Sequence, residues 1–299
     1  PGSVVSSLKA CAIAGDDTKG KEIQMQILKQ GLQGELLVNN SLIDMYGKCG
    51  LLAEAEDIFN KLLVRDEVSW NVLIAGYVEL GCSEKALDRF GQMQKEGIYA
   101  SQLTFVSALK ACSSLPEGKQ VHTCLMYNDF DEDLFIANSL LDMYTKCGDL
   151  FDACATFEKL LVRDTVTWNI IIAHCLKQSN NRLVLDYFED MRCKGMKPDG
   201  ATFSSLLSAC NHIGLVQEGC RYFMLMQECY GIVPTCDHFN IILDLLGQAG
   251  WLKEADGFVQ SAPFPLTHTT WFSLLRHCRS HGNISLGRTC FNQLIGLNG

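Results

Sequence analysis

Apolar positions along the chain recur at helical spacing in paired runs. In one stretch Leu37, Leu42, Met45 and Tyr46 form a first run, and Leu52, Ala55, Ile58, Phe59 and Leu62 form a second. That is the period of an amphipathic helix, and each pair of runs predicts a helical hairpin. Glycine divides the halves at Gly50, Gly81, Gly148, Gly214, Gly250 and Gly282, where its freedom at positive φ suits a helix C-cap before a tight turn. Five residues later stands a small residue, Ala55, Ala86, Ala153 and Ala255, or Gly20, Gly219 and Gly287, which lets the second helix approach its neighbour closely. The stretch 165–199 carries Ser179 and Val184 at these places and is expected to be looser or shifted. Strand-like alternation is absent, and the six prolines fall mostly at hairpin ends. The predicted fold class is therefore all-α, a solenoid of tandem helix-turn-helix repeats in which each hairpin packs on the next.

The hairpins repeat in sequence as well as in pattern. NSLIDMYGKCG at 40–50 returns as NSLLDMYTKCG at 138–148, and KLLVRD closes both segments. Between them, EVSWNVLIAGYVELG from Glu67 matches TVTWNIIIAHCLKQS from Thr165, and TFVSALKACSS from Thr104 matches TFSSLLSACNH from Thr202. VVSSLKACAIAG near the N-terminus is of the latter kind. The chain divides into 1–35, 36–66, 67–101, 102–133, 134–164, 165–199, 200–235, 236–267 and 268–299. The opening Pro1-Gly2-Ser3 is taken as a cloning remnant.

Composition narrows the function classes. The 299 residues are 47% hydrophobic and 20% charged, which excludes general disorder. Lys and Arg total 25 against 34 Asp and Glu, a net charge of -9, so the chain does not coat nucleic acid through bulk positive charge, and any such binding must be local. No apolar run approaches the roughly 18 residues of a membrane span, and no segment reads as a signal peptide. A soluble protein without membrane contact is expected. The 15 cysteines are odd in number and lack C-x-x-C spacing, against a disulfide framework or zinc ribbon. Cys11, Cys112, Cys210 and Cys278, like Cys49 and Cys147, recur at repeat positions and are taken as small buried helix residues of a reducing compartment.

A hairpin of this length suits either tetratricopeptide or pentatricopeptide repeats, and the first helix decides between them. In place of L-G-x-x-Y the chain has SWNVLIAGY and TWNIIIAHC, with GMKPD closing one unit. It resembles the pentatricopeptide repeat (PPR) family over essentially its whole length. Alternation of TFxSxLKAC units, NSLIDMYxKCG units and full-length units is similar to the plant mixed-repeat, or PLS, class. The resemblance makes 1–35, 102–133 and 200–235 L-type repeats, 36–66, 134–164 and 236–267 S-type, and 67–101 and 165–199 P-type. TTWFSLLRHCRSHGNISLGR, within 268–299, resembles the start of an E-type C-terminal extension motif. A right-handed superhelical solenoid is implied.

Stacked hairpins place each first helix on one surface, so that one repeat addresses one base. At the fifth position of their repeats stand Asn40, Asn71, Asn138, Asn169 and Asn240. A single Asn there reads as an N-cap or Asx turn. Recurrence at one register favours a base reader, because the amide carries the donors and the acceptor that a pyrimidine edge requires. The resemblance supplies the partner, the last residue of the same repeat: Asp66, Ser101, Asp164, Asp199 and Thr267 respectively. Asn with Asp implies uridine, Asn with Ser cytidine, and Asn240 with Thr267 a pyrimidine. Helix capping is the competing role for the aspartates, and the two can coexist. Leu37, Val68, Phe135 and Val166 at the second position would sandwich bases or serve only as core. Lys48, Lys146 and Lys177 at the thirteenth are implied phosphate contacts, although Glu79, Gln248 and Ser114 stand at equivalent places. Val5, Val106 and Ser204 occupy the fifth position of the L-type repeats, ending in Glu35, Asp133 and Thr235. Valine cannot read a base edge, so these repeats are expected to space or to bind protein. The readable RNA is n-U-C-n-U-U-n-Y from 5′ to 3′, with U-C-n-U-U its core.

Catalytic chemistry finds no support. A deaminase needs H-x-E with P-C-x-x-C, and none of the seven histidines has a glutamate two residues on. His277 and His281, four apart, lack H-E-x-x-H and are taken to flank a surface turn rather than bind metal. Walker, Rossmann and G-x-S-x-G sequences are missing. No enzyme, cofactor or metal is expected. The resemblance implies a sequence-specific single-stranded RNA-binding protein, the specificity factor for C-to-U editing in a plant organelle, chloroplast or mitochondrion. The final S-type repeat would lie over the fourth nucleotide upstream of the edited cytidine. Organellar editing factors would bind the L-type repeats, and a deaminase would act in cis or trans. A protein-binding scaffold, which the charge favours and the Asn register disfavours, and an RNA stability or splicing factor are the alternatives.

Overall fold

The computed structural model describes residues 2–128 and 133–296. These form eighteen helices in pairs: α1 (Gly2–Ala14) and α2 (Asp17–Lys29), α3 (Leu36–Lys48) and α4 (Leu52–Lys61), α5 (Glu67–Glu79) and α6 (Ser83–Lys95), α7 (Gln102–Ala111) and α8 (Leu115–Tyr127), α9 (Leu134–Lys146) and α10 (Leu150–Lys159), α11 (Thr165–Lys177) and α12 (Asn181–Cys193), α13 (Gly200–Ile213) and α14 (Val216–Glu228), α15 (Cys236–Gln248) and α16 (Leu252–Ser261), and α17 (His268–Ser280) and α18 (Ile284–Gly296). The all-α expectation is met. Pro1 lies outside the described residues, while Gly2 and Ser3 already belong to α1. No described helix is long and apolar enough to cross a membrane.

The chain divides into two compact bodies, Pro1–Leu161 and Val162–Gly299. In the first, the odd-numbered helices α1, α3, α5, α7 and α9 pack in succession, and each even-numbered helix from α2 to α8 touches both its own partner and the next odd helix. In the second, α11, α13, α15 and α17 pack in succession, and α12 and α14 each touch their own partner and the next odd helix.

An aromatic residue at the fourth position of the odd helices carries much of this packing. Trp70 meets Phe59 at 4.7 Å, Phe105 meets Phe90 at 5.6 Å, Phe203 meets Phe188 at 5.6 Å and Phe239 meets Phe223 at 5.2 Å, all edge to face. In each case the partner ring comes from the preceding hairpin, so ring geometry links one repeat to the next. Close approach then demands small residues opposite large ones. A Cβ on Gly118 would overlap the Met143 thioether, and one on Gly247 would lie 3.0 Å from the Cβ of His277.

The cysteines behave as expected at four positions. Cys11, Cys112, Cys210 and Cys278 are buried, while Cys49 and Cys147 are only half-buried. Burial pushes the Cys112 and Cys210 thiols up to about 12, which removes the thiolate that reactivity requires.

The expectation of a looser or shifted repeat over 165–199 is not met. Ser179 adopts φ +56°, the left-handed conformation that Gly50 and Gly81 adopt in their own hairpins, and Val184 is fully buried. The turn is kept by forcing a side-chain-bearing residue into a region that costs about 1 to 2 kcal/mol outside glycine. Ser179→Gly is therefore expected to stabilise the protein by about 1 kcal/mol, read as a rise in the midpoint of thermal unfolding by circular dichroism.

Candidate nucleic-acid interface

Each odd helix begins where the backbone N–H groups of its first turn have no partner within the helix. The last residue of the preceding repeat meets that need. Asp66 caps α5, accepting from the Ser69 N–H at 2.8 Å. Asp164 caps α11 through Thr167 N–H at 2.8 Å, and Asp199 caps α13 through Thr202 N–H at 3.0 Å. Ser101 caps α7 and Thr267 caps α17. Capping, the competing role for these side chains, is thus real.

The same side chains reach the fifth-position asparagines. Asn40 Nδ2 donates to Asp66 Oδ1 at 3.3 Å. Asn71 Nδ2 donates to Ser101 Oγ at 3.3 Å and to Glu67 Oε1 at 3.1 Å. Asn169 Nδ2 lies 3.0 Å from both carboxylate oxygens of Asp199. None of these asparagines is an N-cap, since each is the fifth residue of its helix. Asn240 and Thr267 are joined indirectly, through Thr270. Asn138 belongs to the first body and Asp164 to the second.

A third participant was not singled out in the sequence. The third residue of each helix that follows an Asn repeat is a buried hydroxyl: Ser69, Thr104, Thr167, Thr202 and Thr270. Ser69 Oγ lies 2.8 Å from Asn40 Oδ1 and 2.7 Å from Asp66 Oδ1. Thr202 Oγ1 lies 2.6 Å from Asn169 Oδ1 and accepts from the Asp199 N–H at 3.1 Å. Thr104 and Thr270 donate to Asn71 and Asn240 in the same way. Its signal was readable, because D-x-x-S/T or S/T-x-x-T spans every junction after an Asn repeat.

Electrostatics fixes the roles. Burial alone would raise the Asp66 carboxyl, but hydrogen bonds from the Ser69 side chain and backbone and from Asn40 outweigh it and hold it below 3.8. For Asp199, burial is opposed by the Thr202 backbone, Asn169 and the Thr202 hydroxyl, with the same net lowering. Both are carboxylates at neutral pH and can only accept.

Leu37, Val68, Phe135 and Val166 are 61%, 50%, 57% and 54% exposed, so the core alternative for them is removed. Lys48 and Lys146 form ion pairs with Asp44 at 3.0 Å and Asp142 at 2.6 Å, one helical turn back. Lys177 is exposed. In the L-type repeats Val5 and Val106 are buried. Ser204 Oγ instead lies 3.0 Å from Nε2 of the buried His238, whose Nδ1 takes the Thr235 N–H at 3.1 Å.

A cavity of about 270 Å³ between α15 and α17 is lined by Asn240, Asp244, Thr270 and Ser273. Asp244 there accepts from Asn211 at 3.0 Å, Ser273 at 2.9 Å, Gln248 at 2.7 Å and His277 at 2.8 Å. His277 is consequently buried, and only His281, the C-cap of α17, sits at a surface turn as expected.

Comparison with known proteins follows this geometry. The PPR repeat family profile matches residues 65–114 and 163–212, the PPR repeat profile 40–66 and 135–164, and the pentatricopeptide repeat domain profile 188–249. A chloroplastic pentatricopeptide repeat-containing protein of Arabidopsis thaliana is 38% identical over 97% of this chain and 55% of its own length. A mitochondrial one from the same plant is 36% identical over 93% of this chain and 33% of its own length. This chain spans about a third to a half of such relatives. The crystal structure of the pentatricopeptide repeat protein PPR10 in complex with an 18-nt psaJ RNA element superposes with a TM-score of 0.73 at 16% identity, covering 95% of this chain and 43% of that one. The tandem helical-pair fold is the same.

Asp244 gives a pH dependence. Burial raises its carboxyl, but the bonds from His277, Asn211, Ser273 and Gln248 prevail and bring it from 3.8 to about 2. A depressed carboxyl stabilises the fold above its unfolded value and loses that contribution as pH falls through the folded value. Between pH 4 and 2 the midpoint of thermal unfolding should therefore fall more steeply for the unaltered chain than for Asp244→Asn.

Proposed function

Because the chain belongs to the pentatricopeptide repeat family, we propose that it binds single-stranded RNA sequence-specifically, one base per repeat. The observation that carries this reading is the recurring pair of an asparagine amide and the cap of the next helix, at Asn40 and Asp66, Asn71 and Ser101, and Asn169 and Asp199. Within such a pair the amide offers a donor to a pyrimidine oxygen or ring nitrogen. The partner sets the identity: a carboxylate accepts from the N3–H of uracil, whereas the Ser101 hydroxyl can donate to the N3 of cytosine. Asn138 with Asp164, and Asn240 with Thr267, complete the set by register. The exposed Leu37, Val68, Phe135 and Val166 would lie between successive bases, and the target is n-U-C-n-U-U-n-Y.

The relatives named chloroplastic and mitochondrial, and a structural neighbour crystallised with RNA, support an organellar RNA-binding role. The finer reading is a specificity factor for C-to-U editing of the mixed-repeat class. Its L-type repeats would engage editing factors, 268–299 would form an E-type motif, and a deaminase would act in cis or trans. In this reading the chain itself is no enzyme.

Fluorescence anisotropy with an RNA carrying U-C-n-U-U, against its purine-swapped version, tests the reading. Tighter binding to the pyrimidine RNA is expected, with roughly tenfold loss, about 1.4 kcal/mol, on Asn138→Thr or Asn169→Thr. A well-folded helical protein that binds neither RNA would point to the protein scaffold, which the net charge of -9 favours. Lys48 and Lys146 must leave their carboxylates to reach phosphate, so exposed Lys177 carries the clearest backbone prediction. Lys177→Ala should weaken both RNAs alike and reduce the slope of log K against log salt by about 1.

A further inference from the structure

The buried hydroxyl at the third residue of an odd helix follows the asparagines, not the helices. Every repeat with Asn at its fifth position is followed by Ser or Thr: Ser69, Thr104, Thr167, Thr202 and Thr270. The two repeats with valine there, Val5 and Val106, are followed by Val38 and Ile136. Yet α9 begins with a side-chain cap. Asp133 caps α9 through the Phe135 and Ile136 N–H groups at 2.9 Å and 3.0 Å, without any hydroxyl at the third position. Starting a helix thus does not require the hydroxyl, and some other demand keeps it beside the asparagines.

We infer that Ser69, Thr104, Thr202 and Thr270 are positioning residues that lock the orientation of the base-reading asparagine amides. This rests on the base reading proposed above. An amide can turn over, exchanging its oxygen for its nitrogen with almost no change of shape. In the 165–199 repeat both ends are held: the single Thr202 hydroxyl proton is shared between Asn169 Oδ1 at 2.6 Å and Asp199 Oδ1 at 3.0 Å, and Nδ2 faces the acceptor-only Asp199 at 3.0 Å. Asn40 is held in the same manner by Ser69 at 2.8 Å and Asp66 at 3.3 Å. Asn71 is held by Thr104 and by the Glu67 carboxylate at 3.1 Å. At Asn40 and Asn169, with the oxygen engaged and one N–H directed at the cap, the amide presents its remaining N–H to the base, whereas both N–H groups of Asn71 are engaged by Glu67 and Ser101. At these two uridine-assigned repeats it therefore offers a donor only, which complements a carbonyl oxygen of uracil and opposes an exocyclic amine. Loss of the hydroxyl frees the oxygen and leaves the cap alone to set the orientation.

The test compares Thr202→Val, which keeps the shape and removes the hydroxyl, with Thr202→Ser, which keeps the hydroxyl. Affinities are measured for U-C-n-U-U RNA and for the RNA with cytidine at the last of these positions, which the 165–199 repeat addresses. Ser114→Ala, at the capping box of α8 and away from the asparagines, serves as a matched loss of a cap. The expected result is a roughly tenfold fall in the uridine-to-cytidine affinity ratio for Thr202→Val, an unchanged ratio for Thr202→Ser, and an unchanged ratio for Ser114→Ala whatever its thermal midpoint. A Thr202→Val protein that weakens on both RNAs equally, with the ratio intact, overturns the positioning role and leaves the base reading standing. Lack of pyrimidine preference in the unaltered chain overturns both.

Discussion

The orphan N–H groups at the start of each odd helix are the demand around which the rest of this structure is arranged. From α5 onward the chain meets that demand with the closing residue of the preceding repeat, so the end of one hairpin is bonded into the beginning of the next. That obligation places a carboxylate or hydroxyl beside the fifth residue of the earlier helix at every Asn repeat whose pair lies within one body. Because a capping carboxylate is ionised and holds several hydrogen bonds, it is a rigid and chemically one-sided neighbour for the asparagine. Local helix chemistry and a regularly spaced polar row are therefore one arrangement serving two ends.

Packing on the opposite side of the helices keeps that row in register. Rings from adjacent hairpins meet edge to face, and glycine stands where a methyl group would strike Met143 or His277. Such contacts are specific in distance and angle, so the spacing between successive odd helices has little freedom. Asp244, gathering side chains from α13, α15 and α17, adds a polar tie of the same sense within the second body.

The hairpins and the asparagine register were legible because both are periodic: apolar spacing marks helices, and recurrence separates a working Asn from an incidental one. Four features escaped for particular reasons. The hydroxyls at Ser69, Thr104 and Thr202 are common helix-start residues, and only the three-dimensional junction shows them touching the preceding repeat. Ser179 broke a glycine rule in sequence, but its neighbours hold it in the left-handed turn regardless. The i,i+4 ion pairs of Lys48 and Lys146 were visible as D-x-x-x-K, yet counting lysines alone as positive contacts overlooked the carboxylates that neutralise them. His277 was read from its spacing to His281, when its environment is set by Asp244 on another helix.

The junction also says where such a chain can be cut and rejoined. A reading pair draws its asparagine and its cap from one repeat but its hydroxyl from the next, so the sequence-defined repeat is not the smallest portable piece. Exchanging 165–199 alone would carry Asn169 and Asp199 but leave Thr202 behind, and a recipient with an aliphatic residue there, as this chain has at Val38 and Ile136, would lack the hydroxyl. Recombination boundaries drawn after the third residue of the odd helices, instead of before the first, would keep each polar triad with a single parent.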